Sequence, residues 1–382
     1  MELLSVSQYR GVVPRHELTD AEPRAEDLSN YKTCRPGDIV LNRMSAYQGA
    51  VGVSSVHGMV SPDYAVLRPV HDVSGHYLAY VMKSAAFVGQ MTMRLRGIGA
   101  PGTNSVRTPR VNVEDLGDID VYSPALEEQR SIADFLDDQV ARIDRTVEAR
   151  RRQVQSTTEW LSSLLDEVVW AEPGSLPVKY LVQGITSGPR GWGELVRDEG
   201  QPFLRIGNLP SKGIDLRLDD LARVDAPDDA ESRRARTRAG DVLLGITASL
   251  GDVGLVTPAL AGSFISQHVA RLRPRHDVDG EWLAWALQTR RVRDSLSVSG
   301  YGGTKVGLGL AEVANTHVPL CSAQTRQRVV AEARSVWEAG DRHIGLLARS
   351  TELLLELKRS MIGAAVSGEM NVSTAAGAGA SV

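Results

Sequence analysis

Two long stretches of this chain repeat their apolar residues every seven positions. In the first, from about Ala125 to Trp170, one row holds Leu126, Ala133, Val140, Val147, Val154, Leu161 and Val168. A second row, three residues on, holds Leu136, Ile143, Arg150, Thr157 and Leu164. Paired rows of this kind form the seam of a coiled-coil helix, here interrupted by polar side chains near Arg150 and Thr157. Pro124 before the stretch and Pro173-Gly174 beyond it punctuate a helix. The second stretch runs from about Ala323 to Ser367. Leu347, Leu354 and Met361 form one row and Trp337 with Ile344 another. Gly368 supplies a left-handed stop, and Gly340 weakens the middle. A helix of about 45 residues spans roughly 68 Å and cannot bury its stripe on a small domain alone. The two helices are therefore expected to pack on each other, antiparallel if the halves of the chain are related by a two-fold axis. The expected seam joins Leu136, Val140, Ile143, Val147, Val154 and Leu161 to Trp337, Ile344, Leu347 and Leu354. Trp160 and Trp337 are read as seam or partner-interface residues.

Between the helical stretches the period changes. DIVLNRM, AVGVSSV and YAVLRP, and later DVLLGIT, VGLVT and VARLRP, are short β-prone runs bounded by Gly, Pro or Ser, as strands of a twisted sheet are. Apolar residues at helical spacing predict short helices at Gly75–Val88 and Gly280–Leu296. Each head is thus α+β.

These runs occur twice. RPGDIVLNRMSAYQGAVGV, beginning at Arg35, matches RAGDVLLGITASLGDVGLV, beginning at Arg238. LRPVHDVSGHYLAYVM matches LRPRHDVDGEWLAWAL, with Pro69, Asp72, Gly75 and Leu78 paired to Pro274, Asp277, Gly280 and Leu283. A duplicated globular unit follows. The expected division is head one at 1–123, helix one at 124–172, head two at 173–321, helix two at 322–370, and a disordered tail at 371–382. The expected architecture is two duplicated α+β domains joined by two long antiparallel coiled-coil-like helices. The halves differ in one respect: 65 residues separate Pro173 from Arg238, but 34 separate Met1 from Arg35. The first head lacks a counterpart to VKYLVQGITSGPRGWGEL, with FLRIGN a further candidate. An upstream start or a truncated gene would account for this.

Composition narrows the class. The chain has 382 residues, 42% hydrophobic and 24% charged, which fits ordinary globular domains. No apolar run of about 18 residues suggests a membrane span, and MELLSVSQYR has no secretory pattern. Cys34 and Cys321 lie far apart, so neither a disulfide framework nor a zinc pair is expected, and a reducing cytoplasm is the natural home. The net charge of −4 argues against a binder held to nucleic acid by bulk charge. Arginine outnumbers lysine 37 to 6. Its planar fork suits phosphate and guanine, although a GC-rich coding sequence produces the same bias.

Catalytic signatures are missing. The sequence has no GxxxxGK(S/T), FxGxG, NPPY, HExxH or GxSxG. His71 and His76 form a loop pair rather than a ligand pair. Glu356-Leu357-Lys358 has the look of a nuclease fragment but sits on the second long helix without an acidic partner motif. A binding and scaffolding role is favoured over a catalytic one.

Duplicated α+β heads, each followed by a long helix, resemble the specificity subunits of type I restriction–modification systems. The likeness is carried by SPALEEQRSIADFLDDQVARID at 123–144, by GDIVLNRMSAYQGAVGV with SPDYAVLRP, by FLRIGNL at 203–209, and by GGTKVGLGLAEV at 302–313, read as a loop and strand closing the second head. The second copy of the helix-start motif, SAQTRQRVVAEA at 322–333, keeps only Gln327 and the apolar pattern. The resemblance implies that each head is a target-recognition domain reading one half of a split sequence in double-stranded DNA. It implies that the helices set the gap and dock two methyltransferase subunits, and that an ATP-driven restriction subunit joins them. S-adenosylmethionine, ATP and Mg²⁺ would then bind those partners and not this chain. A duplicated protein-binding adaptor and an inactive truncated specificity subunit are the alternatives; a single-component enzyme is a third.

Base reading needs polar side chains on loops, whereas phosphate contacts only position the protein. In the first head Arg43, Ser45, Tyr47 and Gln48 lie on a predicted turn between strands. Arginine can read guanine there and glutamine adenine; an ordinary polar hairpin fits the same residues. Arg94, Arg96, Asn104, Arg107 and Arg110 are interleaved with glycine, which suits close approach to phosphate or a solvated loop. In the second head Thr247, Ala248 and Ser249 form the parallel turn. Thr186, Ser187, Arg190 and Trp192 lie on one glycine-rich loop, Tyr301, Thr304 and Lys305 on another, and Arg205 and Asn208 in FLRIGNL. The run Arg233, Arg234, Arg236 and Arg238 has acidic neighbours and reads as solvated surface. Arg150, Arg151 and Arg152 could face phosphate, an acidic partner patch, or solvent.

Overall fold

The structure, a computed structural model, describes residues 1–8, 10–19, 28–95, 110–299 and 307–372. Contacts divide the chain into two units, residues 1–151 with 348–382, and residues 152–347.

In the first unit the strands are β1 (Glu2–Ser7), β2 (Gly11–Pro14), β3 (Lys32–Cys34), β4 (Ile39–Asn42), β5 (Val51–Val53), β6 (Gly58–Val60) and β7 (Tyr64–Leu67). They form two sheets, in the orders β2-β1-β6-β3 and β5-β4-β7. Helices α1 (Gly75–Lys83), α2 (Ala85–Met93) and α3 (Val113–Gly117) follow, and α4 (Leu126–Val169) begins here. Ile39, Val40 and Leu41 of β4 are consecutive apolar residues because both faces of the strand are covered. Ile39 and Leu41 join the core with Tyr77, Met82, Phe87 and Leu136, while Val40 faces the opposite way toward Leu4, Val6 and Val60.

The second unit contains β8 (Ser175–Pro177), β9 (Val182–Ser187), β10 (Val196–Arg197), β11 (Gln201–Leu204), β12 (Ala222–Val224), β13 (Val242–Gly245), β14 (Val253–Leu255), β15 (Phe264–Ile265), β16 (Val269–Pro274) and β17 (His317–Pro319). Its sheets run β10-β12-β11-β15, β14-β13-β16-β9 and β17-β8. Helices α5 (Ala230–Ala235), α6 (Gly280–Gln288), α7 (Arg290–Ser299) and α8 (Leu310–Asn315) precede the last helix, α9 (Ala323–Ser367). β13 splits its side chains as β4 does: Val242 and Leu244 enter the core with Trp282, and Leu243 the core with Phe203.

The repeat in sequence is a repeat in structure. Ile39 pairs with Val53 and Leu67, as Val242 pairs with Leu255 and Leu272. Asp38 accepts two hydrogen bonds from Arg68, both 2.9 Å, and Asp241 accepts two from Arg273, at 2.9 and 2.7 Å. The glycine ahead of each aspartate turns the chain with positive φ, +92° at Gly37 and +83° at Gly240. Gly75 and Gly280 lie so close to the carbonyls of Gly37 and Gly240 that a Cβ would meet them. Positive φ therefore dictates the glycine of Gly-Asp, and close approach the glycine of Asp-x-x-Gly, on which the two copies agree.

Several expectations need correction. Each predicted short helix is two helices, broken at Ser84 and Thr289. Both hydroxyls donate to a carbonyl three residues back, Val81 and Ala286, at 2.7 Å, and Ser84 also caps α2. Of the segment 302–313, residues 302–306 lie outside the described residues; in the rest Leu310 onward is helical rather than a strand, and Gly307 makes an isolated bridge to Thr247. FLRIGN has a counterpart, because β1 runs parallel to β6 as β11 runs parallel to β15. Among the described residues the first unit has nothing equivalent to β9, so no strand covers the outer edge of β7. The tail expected to be disordered from 371 starts inside the core, where Val372 is buried; residues 373–382 lie outside the described residues.

The long helices match the seven-residue stretches at 125–170 and 323–367 within a residue. In the first unit Lys358 donates to both oxygens of Asp144, at 2.7 and 2.8 Å, and Leu136 shares a core with Ile362. Residue numbers rise along α4 as they fall along α9, so the helices are antiparallel there. Lys358 is accordingly a helix-pairing residue. In the second unit Leu161 sits over Gly340 so closely that a Cβ at 340 would collide with it, while Leu165 and Val169 lie in the core with Val329 and Ala333. The helices are antiparallel there too, and Gly340 is the hole for Leu161. Ile143, Val147 and Leu347 are buried, and Val140, Val154, Ile344 and Leu354 half-buried. Beyond Leu161 the buried row is Leu165 and Val169 rather than Leu164 and Val168, as expected when a 3.6-residue helix drifts past a seven-residue repeat. Trp337 leaves the seam for Trp285, with ring centroids 6.0 Å apart. Trp160 is exposed. Among the described residues no helix is long and apolar enough to cross a membrane.

Each head meets its helix through equivalent positions with opposite polarity. In the first unit His76 of α1 lies 3.5 Å from Asp137 of α4, which also accepts from Tyr80 at 2.7 Å. In the second unit Glu281 of α6 accepts from Arg334 of α9 at 2.5 Å. The hydrogen bond to Asp137 raises the His76 pKa, and the same bond holds the Asp137 carboxyl below its usual range. Histidine at about 6.5 and aspartate at about 3.9 when unfolded bracket the window in which this pair stabilises most fully. The contribution is lost as pH rises through the raised His76 value, and as pH falls through the lowered Asp137 value. Amide protection factors in α1 should decrease above neutrality while those in α6 stay flat, and Asp137→Asn should remove the difference. Equal pH profiles for α1 and α6 would contradict this assignment.

Candidate nucleic-acid interface

One end of the sheet β14-β13-β16-β9 gathers polar residues from separate parts of the sequence. Pairing sets Ser187 opposite Ala270 and Gly245 opposite Val269. The chain leaving β9, the turn after β13 and the residues before β16 therefore meet. Thr247 Oγ1 lies 2.8 Å from His268 Nδ1, and Gln267 Nε2 lies 3.0 Å from His268 Nε2. With the Gln267 amide donating to Nε2, the imidazole proton sits on Nδ1 and is donated to Thr247. The Gln267 carbonyl and the Thr247 hydroxyl proton remain to be offered outward.

The turn itself is strained. Ala248 has φ +48°, in the region that disfavours a side chain. The amide of Ser249 donates back to the Thr247 carbonyl. Gly245 is required where the turn folds back, because a Cβ would strike the Ser249 carbonyl. Gly188 is required where the chain leaving β9 passes Ile265. Close backbone packing thus fixes the loops that carry Thr186, Ser187, Arg190, Thr247 and Ser249. Ser249 and Arg190 are exposed, and Thr186, Ser187 and Thr247 half-buried.

Other candidates turn inward. Asn208 is buried; its carbonyl accepts the Arg205 amide at 2.8 Å, and its amide donates to the carbonyls of Arg217 and Asp220 at 2.9 and 3.2 Å. It fastens its loop and cannot reach a base edge. Arg205 lies beside it, 3.0 Å from the Asp220 carboxylate. Trp192 is also buried, edge-on to Phe264.

In the first unit the equivalent sheet end carries different residues. Arg43 is half-buried and donates to the Val111 carbonyl at 2.9 Å, while the Val111 amide returns a bond to Arg43. This guanidinium ties the turn to the segment before α3 instead of facing outward. Tyr47 packs on the core, the backbone of Ser45 closes the turn, and Gln48 is exposed. Arg110 pairs with Asp63 at 2.7 Å on the surface, and Arg94 bonds Gln90 at the end of α2. Arg96, Asn104, Arg107, Tyr301, Thr304 and Lys305 lie outside the described residues. The run near 233 is paired as its acidic neighbours suggested: Arg233 with Asp228 and Arg234 with Glu231.

Sequence reasoning missed Gln267 and His268. The available signal was the contrast within the repeat, where SPD at 61–63 becomes SQH at 266–268 immediately before matching strands. Among the described residues no three His, Cys, Asp or Glu side chains are grouped to hold a metal.

No family model matches the chain. A curated relative, the type I restriction enzyme EcoBI specificity subunit of Escherichia coli, is 22% identical over 302 residues, covering 70% of this chain and 62% of that protein. The chain therefore spans about three fifths of the matched relative's length. A solved chain described under the structural basis of complex assembly and conformational transition of the type I R-M system superposes with TM-score 0.72 at 18% identity, covering 90% of this chain and 85% of that one. The HsdS subunit from Thermoanaerobacter tengcongensis gives TM-score 0.50 at 20% identity, covering 90% and 84%. In sequence and in fold the chain resembles these proteins.

Proposed function

We propose that this chain is the DNA sequence-specificity subunit of a type I restriction–modification assembly, a non-catalytic protein whose two heads each read one half of a bipartite target. The observation that carries the reading is a repeated frame with unrepeated ends. The Gly-Asp turns, the Asp38–Arg68 and Asp241–Arg273 pairs and the strand registers recur. At the sheet ends, Thr247, Gln267 and His268 replace Met44, Pro62 and Asp63. Two readers of different half-sites need this combination of one scaffold and two surfaces. Side chains at the sheet ends supply base contacts, and arginines on neighbouring loops supply phosphate contacts. The apolar helix faces dock methyltransferase subunits, and a restriction subunit joins that core in the cytoplasm. S-adenosylmethionine, ATP and Mg²⁺ belong to those partners.

A good paired base contact discriminates by about 1–3 kcal/mol. Gln267→Ala with His268→Ala should therefore relax one or two positions in one half of the methylated motif, by roughly tenfold per 1.4 kcal/mol lost. The other half should be unchanged. Sequencing of methylated DNA reads both halves at once, and relaxation in both, or in neither, would remove these residues from the reading surface.

A further inference from the structure

Three side chains at the candidate reading end of the second unit form one chain of hydrogen bonds. Thr247 Oγ1 lies 2.8 Å from His268 Nδ1, and His268 Nε2 lies 3.0 Å from Gln267 Nε2. An amide nitrogen can only donate, so His268 Nε2 accepts and the imidazole proton on Nδ1 goes to Thr247. Backbone holds both ends of this chain. Thr247 bridges to Gly307, and the Leu308 amide donates to the Ile246 carbonyl at 2.9 Å. The Ile246 amide in turn donates to the His268 carbonyl at 3.1 Å.

This arrangement fixes which way the Gln267 carboxamide faces. Donation to His268 consumes one N–H. It leaves the carbonyl oxygen Oε1 and the second N–H, an acceptor beside a donor. Among the described residues the Gln267 side chain has no other hydrogen-bond partner, and the residue is only half-buried. In the major groove an acceptor beside a donor matches adenine, whose N6 amine donates and whose N7 accepts. Guanine offers two acceptors there, cytosine a single donor, and thymine an acceptor with a methyl group.

We infer that Gln267 reads an adenine in the half-site of the second head, and that His268 is the positioning residue that sets the carboxamide for adenine. This rests on the DNA-reading role proposed above and names the base read. With the imidazole accepting, the amide nitrogen is kept inward and the carbonyl is left for the adenine N6 amine. A donor at position 268 would draw the carbonyl inward and turn the amide nitrogen outward, where guanine O6 can accept from it and adenine N6 cannot. The first head has Pro62 and Asp63 at these two positions and so has no carboxamide to orient.

The test co-expresses the full chain with the methyltransferase partner proposed for it and reads the methylated motif by sequencing. Gln267→Ala should open one position in one half-site, and in the unsubstituted protein that position should be A·T. His268→Lys supplies a donor and should move the preference there from A·T to G·C by about tenfold or more, the worth of a bidentate contact. His268→Glu keeps an acceptor and should retain A·T. The other half-site should be unchanged in all three variants, which also reports that each is folded. An opened position that is G·C in the unsubstituted protein, or failure of His268→Lys to favour G·C, would overturn the inference. So would a split motif in which no position depends on Gln267. Each of those results leaves the two-headed reading standing, because the split motif persists. Absence of a split motif in the unsubstituted protein would remove that reading, and the inference with it.

Discussion

Replacing Asp241 by alanine is expected to cost the second unit about 3–5 kcal/mol, the range for breaking a buried ion pair from one side. The carboxylate is 1% exposed. It accepts from Arg273 twice and from the Arg238 amide at 2.7 Å, and Arg271 lies 3.9 Å away. Arg271 is itself buried, and burial pushes its pKa down to about 10. Alanine would leave this charge near a second guanidinium with nothing between them. Domains are stable by only about 5–15 kcal/mol, so the loss takes a large share of the total. Asp38→Ala should cost the first unit less, because Arg68 is mostly solvated and can return to water. Urea unfolding followed by hydrogen exchange in each unit measures both. A cost below about 1 kcal/mol at Asp241 would reduce this pair to the worth of a surface ion pair.

Leu161→Asp is expected to separate the helices in the second unit. Leu161 is 1% exposed and fills the hole over Gly340, so an aspartate there would be shielded from water. The cost of several kcal/mol combines a lost apolar side chain with a carboxylate that must bury or take up a proton. Leu353→Asp is the contrast: its side chain is 49% exposed, and its effect should stay within about 0.5 kcal/mol. Loss of helical signal on heating reads the difference. Equal melting of the two variants would mean that helix pairing does not depend on this seam.

Much of the frame was legible because its causes are local. Seven-residue spacing with Pro124, Pro173 and Gly368 bounds both long helices, and the Gly-Asp turns repeat because their positive φ favours glycine. The breaks at Ser84 and Thr289 were hidden because apolar periodicity runs through them, and a hydroxyl in a helical run fits a cap or an interior position equally well. The candidate site was less legible. Nothing in sequence distinguishes an arginine turned inward, such as Arg43, from one facing solvent, or a loop-fastening asparagine such as Asn208 from a base reader. Gln267 and His268 acquire meaning only when strand register brings them to Thr247.

Genome-wide adenine methylation tests the central claim most directly, in a host carrying this gene with and without the methyltransferase partner proposed for it. Two heads reading different half-sites predict one split motif, with two unlike halves and a fixed gap, present only when both genes are present. A motif independent of this chain, or no motif with both genes expressed, would contradict the account.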